Sequence, residues 1–213
     1  MADNYLENRY DELFGSGKKK TVVKHVGQSL DSLLKKNRSY RGYDKKIVVT
    51  EEHLRKIVAV NALIPSGRNQ QVLRFKLVTR DTGAEKVLPN IKLGGALPEL
   101  HLPFEGTEPE AFIIICGITP ENKILDIDLG ISAQSMLLKA VEMGLNGIII
   151  AAFNKEHIRQ EFDLPYEPLL ILAIGKGAEN IRLVEINENE SHNYYRKDGI
   201  HFVPKVKLDQ LIL

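Results

Sequence analysis

Apolar positions along the chain follow two periods, and the switches between them predict the elements. Leu30, Leu33 and Leu34 share one face of a helix expected over residues 28–36. A second helix starts at Thr50 as N-cap, carries Glu51 and Glu52 in its first turn and presents Leu54, Ile57, Val58 and Ala62 as one stripe. It stops at Pro65-Ser66-Gly67. The period then drops to two: Leu73, Phe75 and Leu77 alternate with Arg74, Lys76 and Thr79, which predicts a strand with one polar face. Residues 111–118, 147–152 and 169–174 are continuous apolar runs and read as buried strands. Between them, Asp128 is expected to cap a long helix through Met143, closed by Gly144, and Asn154 to cap a short helix reaching Phe162.

The flanks follow different patterns. Residues 4–14 carry Tyr5, Leu6, Tyr10, Leu13 and Phe14 near helical spacing, and Gly15-Ser16-Gly17-Lys18-Lys19-Lys20 follows as a flexible basic linker, so residues 1–26 are read as helix plus linker. Gly15-Ser16-Gly17-Lys18 is not a phosphate-binding P-loop, because Glu12 and Lys19 stand where that motif needs Gly and Ser or Thr. Residues 80–110 hold Gly94-Gly95 and four prolines, a composition that suits a lid or wrapping loop. Residues 181–186 add an edge strand. In the tail, residues 187–213, Tyr194-Tyr195-Arg196 and Ile200-His201-Phe202-Val203 form a hairpin across Lys197-Asp198-Gly199. Helices flanking a few apolar strands give an α+β fold, one domain over residues 1–213 with a central mixed sheet and an extended carboxyl-terminal tail.

Composition narrows the function classes. The 213 residues carry a net charge of +1, which argues against a nucleic-acid partner chosen by global field. Locally, ten Lys and Arg between Gly15 and Lys46 face only Asp31 and Asp44. One cysteine, Cys116, sits in an apolar run and reads as a small buried hydrophobe. The six histidines show no metal-ligand spacing and read as surface or edge residues, and no metal is expected. No signal peptide or spanning apolar run is evident, so no membrane partner and a cytoplasmic location are expected.

The chemistry concentrates in Arg38-Ser39-Tyr40-Arg41. Two guanidiniums and a hydroxyl within four residues can converge on one phosphate, because guanidinium offers a planar fork of donors matched to phosphate oxygens. A solvated basic turn satisfies the same four residues, so company further along the chain decides.

That company resembles the FMN-dependent nitroreductase family. Arg38-Ser39-Tyr40-Arg41 is similar to its Arg-Ser-x-Arg opening, and Ala62-Leu63-Ile64-Pro65-Ser66-Gly67-Arg68-Asn69-Gln70-Gln71 to its Ala-x-x-Pro-Ser-x-x-Asn-x-Gln signature. Gly144-Leu145-Asn146-Gly147 leads into a run similar to the strand that passes the flavin ring, and Pro204-Lys205-Val206-Lys207 matches a basic pair near the carboxyl end. The ordered set covers residues 33–210. Asn37, where many relatives have Arg, Val72-Leu73 in place of Pro-Trp, and the absence of an acid at Ala151 or Ala152 depart from the pattern.

The resemblance implies FMN as cofactor and a homodimer whose tail wraps the partner subunit. It implies that Arg38, Ser39, Arg41, Lys205 and Lys207 surround the phosphate and pyrimidine edge. Pro65, Ser66, Gly67, Asn69 and Gln71 would approach from the partner subunit, and a backbone amide of Ile150, Ala151 or Ala152 would point at the flavin, with Lys92 a weaker candidate. The implied activity takes hydride from NADH or NADPH and reduces a small-molecule acceptor such as a nitroaromatic or quinone, with no catalytic side chain required. Two rivals are a flavin-holding protein without turnover and a non-enzymatic polyanion binder using the basic arm at residues 18–46.

Overall fold

The computed structural model describes residues 28–95 and 97–213. The helix expected at 4–14, the linker and the first part of the basic arm lie outside the described residues. Helix α1 (Leu30–Lys36) is capped by Ser29, whose hydroxyl accepts the Ser32 N–H at 3.2 Å. None of its residues is fully buried: Leu33 is partly covered, while Leu30 and Leu34 are exposed. Helix α2 (Glu51–Val58) begins at Thr50 as expected, with His53 closing a capping box, and buries Leu54 and Ile57.

Strands β1 (Leu73–Val78), β2 (Phe112–Gly117), β3 (Asn146–Ile150) and β4 (Glu167–Gly175) form one sheet in the order β1-β2-β4-β3. These four strands pair antiparallel throughout. Parallel pairing enters at the β3 edge, where Ser39 bridges Gly147, and in a second sheet described below. The unbroken apolar runs of β2 and β4 follow from cover on both faces. Ile113, Ile115, Leu172 and Ile174 turn to one core, while Phe112, Ile114, Cys116, Ile171 and Ala173 turn to the other. Burial pushes the Cys116 thiol up to about 11, as its apolar run predicts.

Helix α3 (Ala84–Val87) anchors the first part of the 80–110 segment by burying Ala84 and Val87. The long helix, α4 (Lys123–Glu142), starts earlier than expected. Asn122 is its cap, accepting the Ile124 and Leu125 N–H groups at 3.0 and 3.2 Å, and Asp128 lies inside the helix, 4 % exposed. A polar residue followed by apolar ones signals a cap equally well at either position. Helix α5 (Lys155–Glu161) begins after Asn154, as read from the sequence.

The second sheet joins β5 (Asn180–Ile186), β6 (Tyr195–Lys197) and β7 (Ile200–Val206) in the order β5-β7-β6. The predicted hairpin is present, its Asp198-Gly199 turn having both φ values positive (51° and 73°). The tail thus folds back so that β7 runs parallel to β5 of its own chain. Beyond it, Leu208, Leu211, Ile212 and Leu213 are exposed. Among the described residues no helix is long and apolar enough to cross a membrane.

Candidate functional site

Past α1 the chain runs beside the edge of β3. The Tyr40 N–H donates to the Gly147 carbonyl at 3.2 Å, next to the Ser39–Gly147 bridge. Glycine is required there by close approach: a Cβ on Gly147 would lie 2.6 Å from the Ala173 carbonyl oxygen and 2.6 Å from Leu137 Cδ2. The next turn is held by Glu179, whose carboxylate accepts the Arg41 N–H and, at 3.2 Å, the Gly42 N–H. Tyr43 is buried and its hydroxyl donates to the Tyr40 carbonyl at 2.9 Å; burial pushes its pKa well up. Backbone contacts therefore fix this loop, and its cationic side chains are free to point elsewhere.

They point into a cleft of about 810 Å³ lined by Arg38, Ser39 and Arg41 from this loop, Gln134 and Leu137 from α4, Gly147 and Ile149 from β3, and the tail. The two-residue period of β7 sets His201, Val203 and Lys205 on the same cleft-facing side. Arg38, Arg41 and Lys205, from opposite ends of the chain, thus converge. Among the described residues no carboxylate lines the cleft. The nearest, Glu179, is turned away to the backbone and to Arg196, with which it forms an ion pair.

The guanidiniums have spare capacity. Arg38 Nη2 donates to the Leu34 carbonyl at 2.7 Å and Arg41 Nη1 to the Ser39 carbonyl at 3.1 Å, yet both Nε–H groups are buried without a partner among the described residues. Arg41, 8 % exposed, stacks over the Tyr194 ring at 4.8 Å. Burial lowers the Arg38 pKa from its ordinary value, as it does for a cation lacking a nearby counter-charge. Partly buried cations with orphaned donors and no facing carboxylate make an anion receptor.

The Pro65–Gln71 loop is elsewhere. Pro65, Ser66 and Gln71 line a second cleft of about 890 Å³ with Asn61, Asp128 and Ser132. The Gly67 N–H donates to Asp128 Oδ1 at 2.8 Å, and the Ser132 hydroxyl donates to Asn61 Oδ1 at 2.5 Å. Gln71 closes the loop through its N–H to Ser66 Oγ (3.2 Å) and its amide to Asn69 Oδ1 (3.2 Å). Arg68, Asn69 and Gln71 all have left-handed backbone, with φ of 51°, 54° and 51°. Such clustering costs energy and accompanies functional loops. Within one chain, then, the two motif groups occupy separate clefts on either side of α4.

The remaining expected residues divide. Ile149 rather than Ile150 faces the first cleft, because the strand period turns Ile150 into the core. Ala151 and Ala152 follow the end of β3 and are exposed, and the Ala152 carbonyl accepts the Lys92 N–H at 2.9 Å, which places Lys92 beside them. Lys207 does not join Lys205: it lies past the end of β7 and its ammonium donates to Asn187 Oδ1 at 3.1 Å. Asn37 lines the cleft and donates through its amide to Gln134 at 3.2 Å. Gln134, Tyr194 and His201 also line this cleft, though the sequence reading did not single them out for it. His201, expected at a surface or edge, is 2 % exposed; alternation with Lys205 along β7 was the signal that could have found it.

Residues 119–176 match the Nitroreductase family. YdgI of Bacillus subtilis (strain 168), provisionally assigned as an NAD(P)H nitroreductase, is 22% identical over 183 residues, covering 69% of this chain and 88% of that protein. Among solved structures, a nitroreductase family protein from Clostridium difficile 630 superposes with a TM-score of 0.57 at 29% identity, covering 71% of this chain and 86% of the other. An FMN-dependent nitroreductase from Clostridium difficile R20291 gives 0.55 at 26% identity, covering 70% and 87%. The resemblance read from the motifs is confirmed, and the α+β fold is that of the nitroreductases.

Proposed function

For a chain with the nitroreductase fold and a match to that family over residues 119–176, we propose an FMN-dependent oxidoreductase. It takes hydride from NADH or NADPH and passes electrons to a small-molecule acceptor such as a nitroaromatic or a quinone. The observation that carries this reading is the convergence of Arg38, Ser39, Arg41 and Lys205 on one cleft beside β3 that no carboxylate lines among the described residues.

The residues present fit FMN. The orphaned Nε–H groups of Arg38 and Arg41 and the Lys205 ammonium suit a phosphate dianion. Ser39 suits the ribityl chain, and Ile149 and Leu137 give the cleft an apolar wall. When bound, FMN supplies the two-electron hydride chemistry. The protein's part would be to hold the phosphate end, give the ring the apolar wall of Ile149 and Leu137 and set its electrostatics. Positive charge from Arg38, Arg41 and Lys205 favours a negatively charged reduced state. No side-chain acid or base is assigned.

A dimer accounts for the separation of the two motif groups. The Pro65–Gln71 loop in one copy would complete the Arg38–Arg41 cleft of the other, with Asn69 and Ser66 as its polar contributors. The exposed Leu30 and Leu34 of α1 and the exposed Leu208, Leu211 and Ile212 supply apolar surface for that association.

The test is the visible spectrum of the protein after incubation with FMN and desalting, followed by anaerobic addition of NADH or NADPH. Retained flavin that bleaches supports the oxidoreductase, and retained flavin that does not bleach supports a holding role. No retained flavin refutes the reading. Sedimentation of the loaded protein as a monomer would refute the shared site.

A further inference from the structure

His201 lies in the wall of the Arg38–Arg41–Lys205 cleft, 2 % exposed, yet its Nδ1 is buried without a partner among the described residues. Buried ring nitrogens are ordinarily hydrogen-bonded, and an orphan at the wall of a polar cleft points to a group that arrives from outside. We propose that His201 is a further anion-binding residue of this cleft, engaging a bound phosphate by taking up a proton from solvent.

The surroundings set the sign. On β7 itself, Lys205 faces the same cleft two strand periods on. From β6, Arg196 is the register partner of His201, and from the loop before β6 the Tyr194 ring lies 5.1 Å away by ring centroids. From the amino-terminal side come Arg38 and Arg41, the latter stacked on the same Tyr194. Among the described residues, the carboxylate acting on His201 is Glu179, ahead of β5, and Arg196 and two backbone N–H groups already claim it. Burial first, then Arg41 and Arg196, lower the His201 pKa from its ordinary value, with Glu179 opposing. With the protein's own groups alone around it, the imidazole is therefore favoured in its neutral form at neutral pH. A phosphate dianion among these cations reverses the local field, stabilises the imidazolium and makes binding and protonation mutually favourable.

The inference rests on the proposed function only for the molecule that carries the phosphate. Titration calorimetry of the full chain with FMN at pH 7.5, in two buffers of different ionisation enthalpy, counts the protons exchanged. The expected result is uptake of up to about one proton per site, abolished in His201→Gln. The phosphate itself, with a second pKa of about 6, would release protons on binding as the dianion, so uptake has the opposite sign and is not confused with it. Relative to His201→Gln, wild-type Kd should tighten by up to about tenfold per pH unit lowered through the neutral range. If the variant does not fold, the ring nitrogen shifts of His201 in the wild type, titrated with and without FMN, decide the matter: a bound-state pKa no higher than the free one overturns the proposal. FMN bound without proton uptake refutes the role of His201 and leaves the cofactor reading intact. Inorganic phosphate bound with uptake, but no FMN, does the reverse. Binding of neither refutes both.

Discussion

The backbone N–H of Gly67 and the Asp128 carboxylate, 61 positions apart, meet at 2.8 Å, tying the strained 66–71 loop to the side of helix α4. The approach is close enough that a Cβ on Gly67 would fall 2.2 Å from Ile124 Cγ2. Asp128 is therefore not a helix cap but the anchor of a loop whose left-handed residues need outside support.

Gly67→Ala should lose about 1–3 kcal/mol of stability through this overlap. Ile124→Ala added to it should restore most of the loss, since the clash is with that side chain. Urea unfolding of the single and double variants measures both. A Gly67→Ala protein as stable as the parent would mean the loop does not pack on α4 in this way.

Arg38→Ala combined with Lys205→Ala should strip FMN. Each removes a charge-assisted phosphate contact worth about 1.5–3 kcal/mol, so together they should weaken binding by roughly two to four orders of magnitude. Fluorescence titration reads the Kd. Unchanged affinity would place the anion site elsewhere.

Lys207→Ala serves as the matched control. Its ammonium is committed to Asn187 outside the cleft, so FMN affinity should stay within about twofold, the range of exposed charge changes. An effect as large as that of Lys205→Ala would show that the tail rearranges on binding.

Cys116 should resist alkylation by iodoacetamide at pH 8 in the folded protein and react once unfolded. The buried thiol, pushed up to about 11, has almost no thiolate there. Because the folded value lies above the unfolded one, the contribution of the neutral thiol to stability is complete below the ordinary thiol pKa. It is lost as pH rises toward about 11. Rapid labelling of native protein at pH 8 would contradict this burial.

Much of the fold was legible because local rules and tertiary packing agree. The Thr50 and Asn154 caps, the alternating β1, the apolar β2 and β4, and the Asp198-Gly199 hairpin all appear where the pattern puts them. The start of α4 differs from the expectation because Asn122 and Asp128 are both competent caps, and only the position of Gly67 shows that the Asp128 carboxylate is needed elsewhere. Arg38, Ser39, Arg41 and Lys205 could be named from motif order. Lys207 could not be separated from Lys205, since both share one strand parity and the strand ends between them.

The sequence by itself determined most of the helical and extended segments and which residues carry donors for an anion, because these follow from periodicity, caps and side-chain chemistry; it did not fix the start of α4 or the α3 turn within residues 80–110. Tertiary structure decided who meets whom. Pairing of β7 with β5 carries Lys205 and His201 to the cleft beside Arg38 and Arg41, and helix α4 keeps the Pro65–Gln71 loop in a cleft of its own. His201 shows the difference most plainly. Its identity and strand position are local facts, but its burial among cations is set by three separate segments, and no pattern along one of them contains the other two.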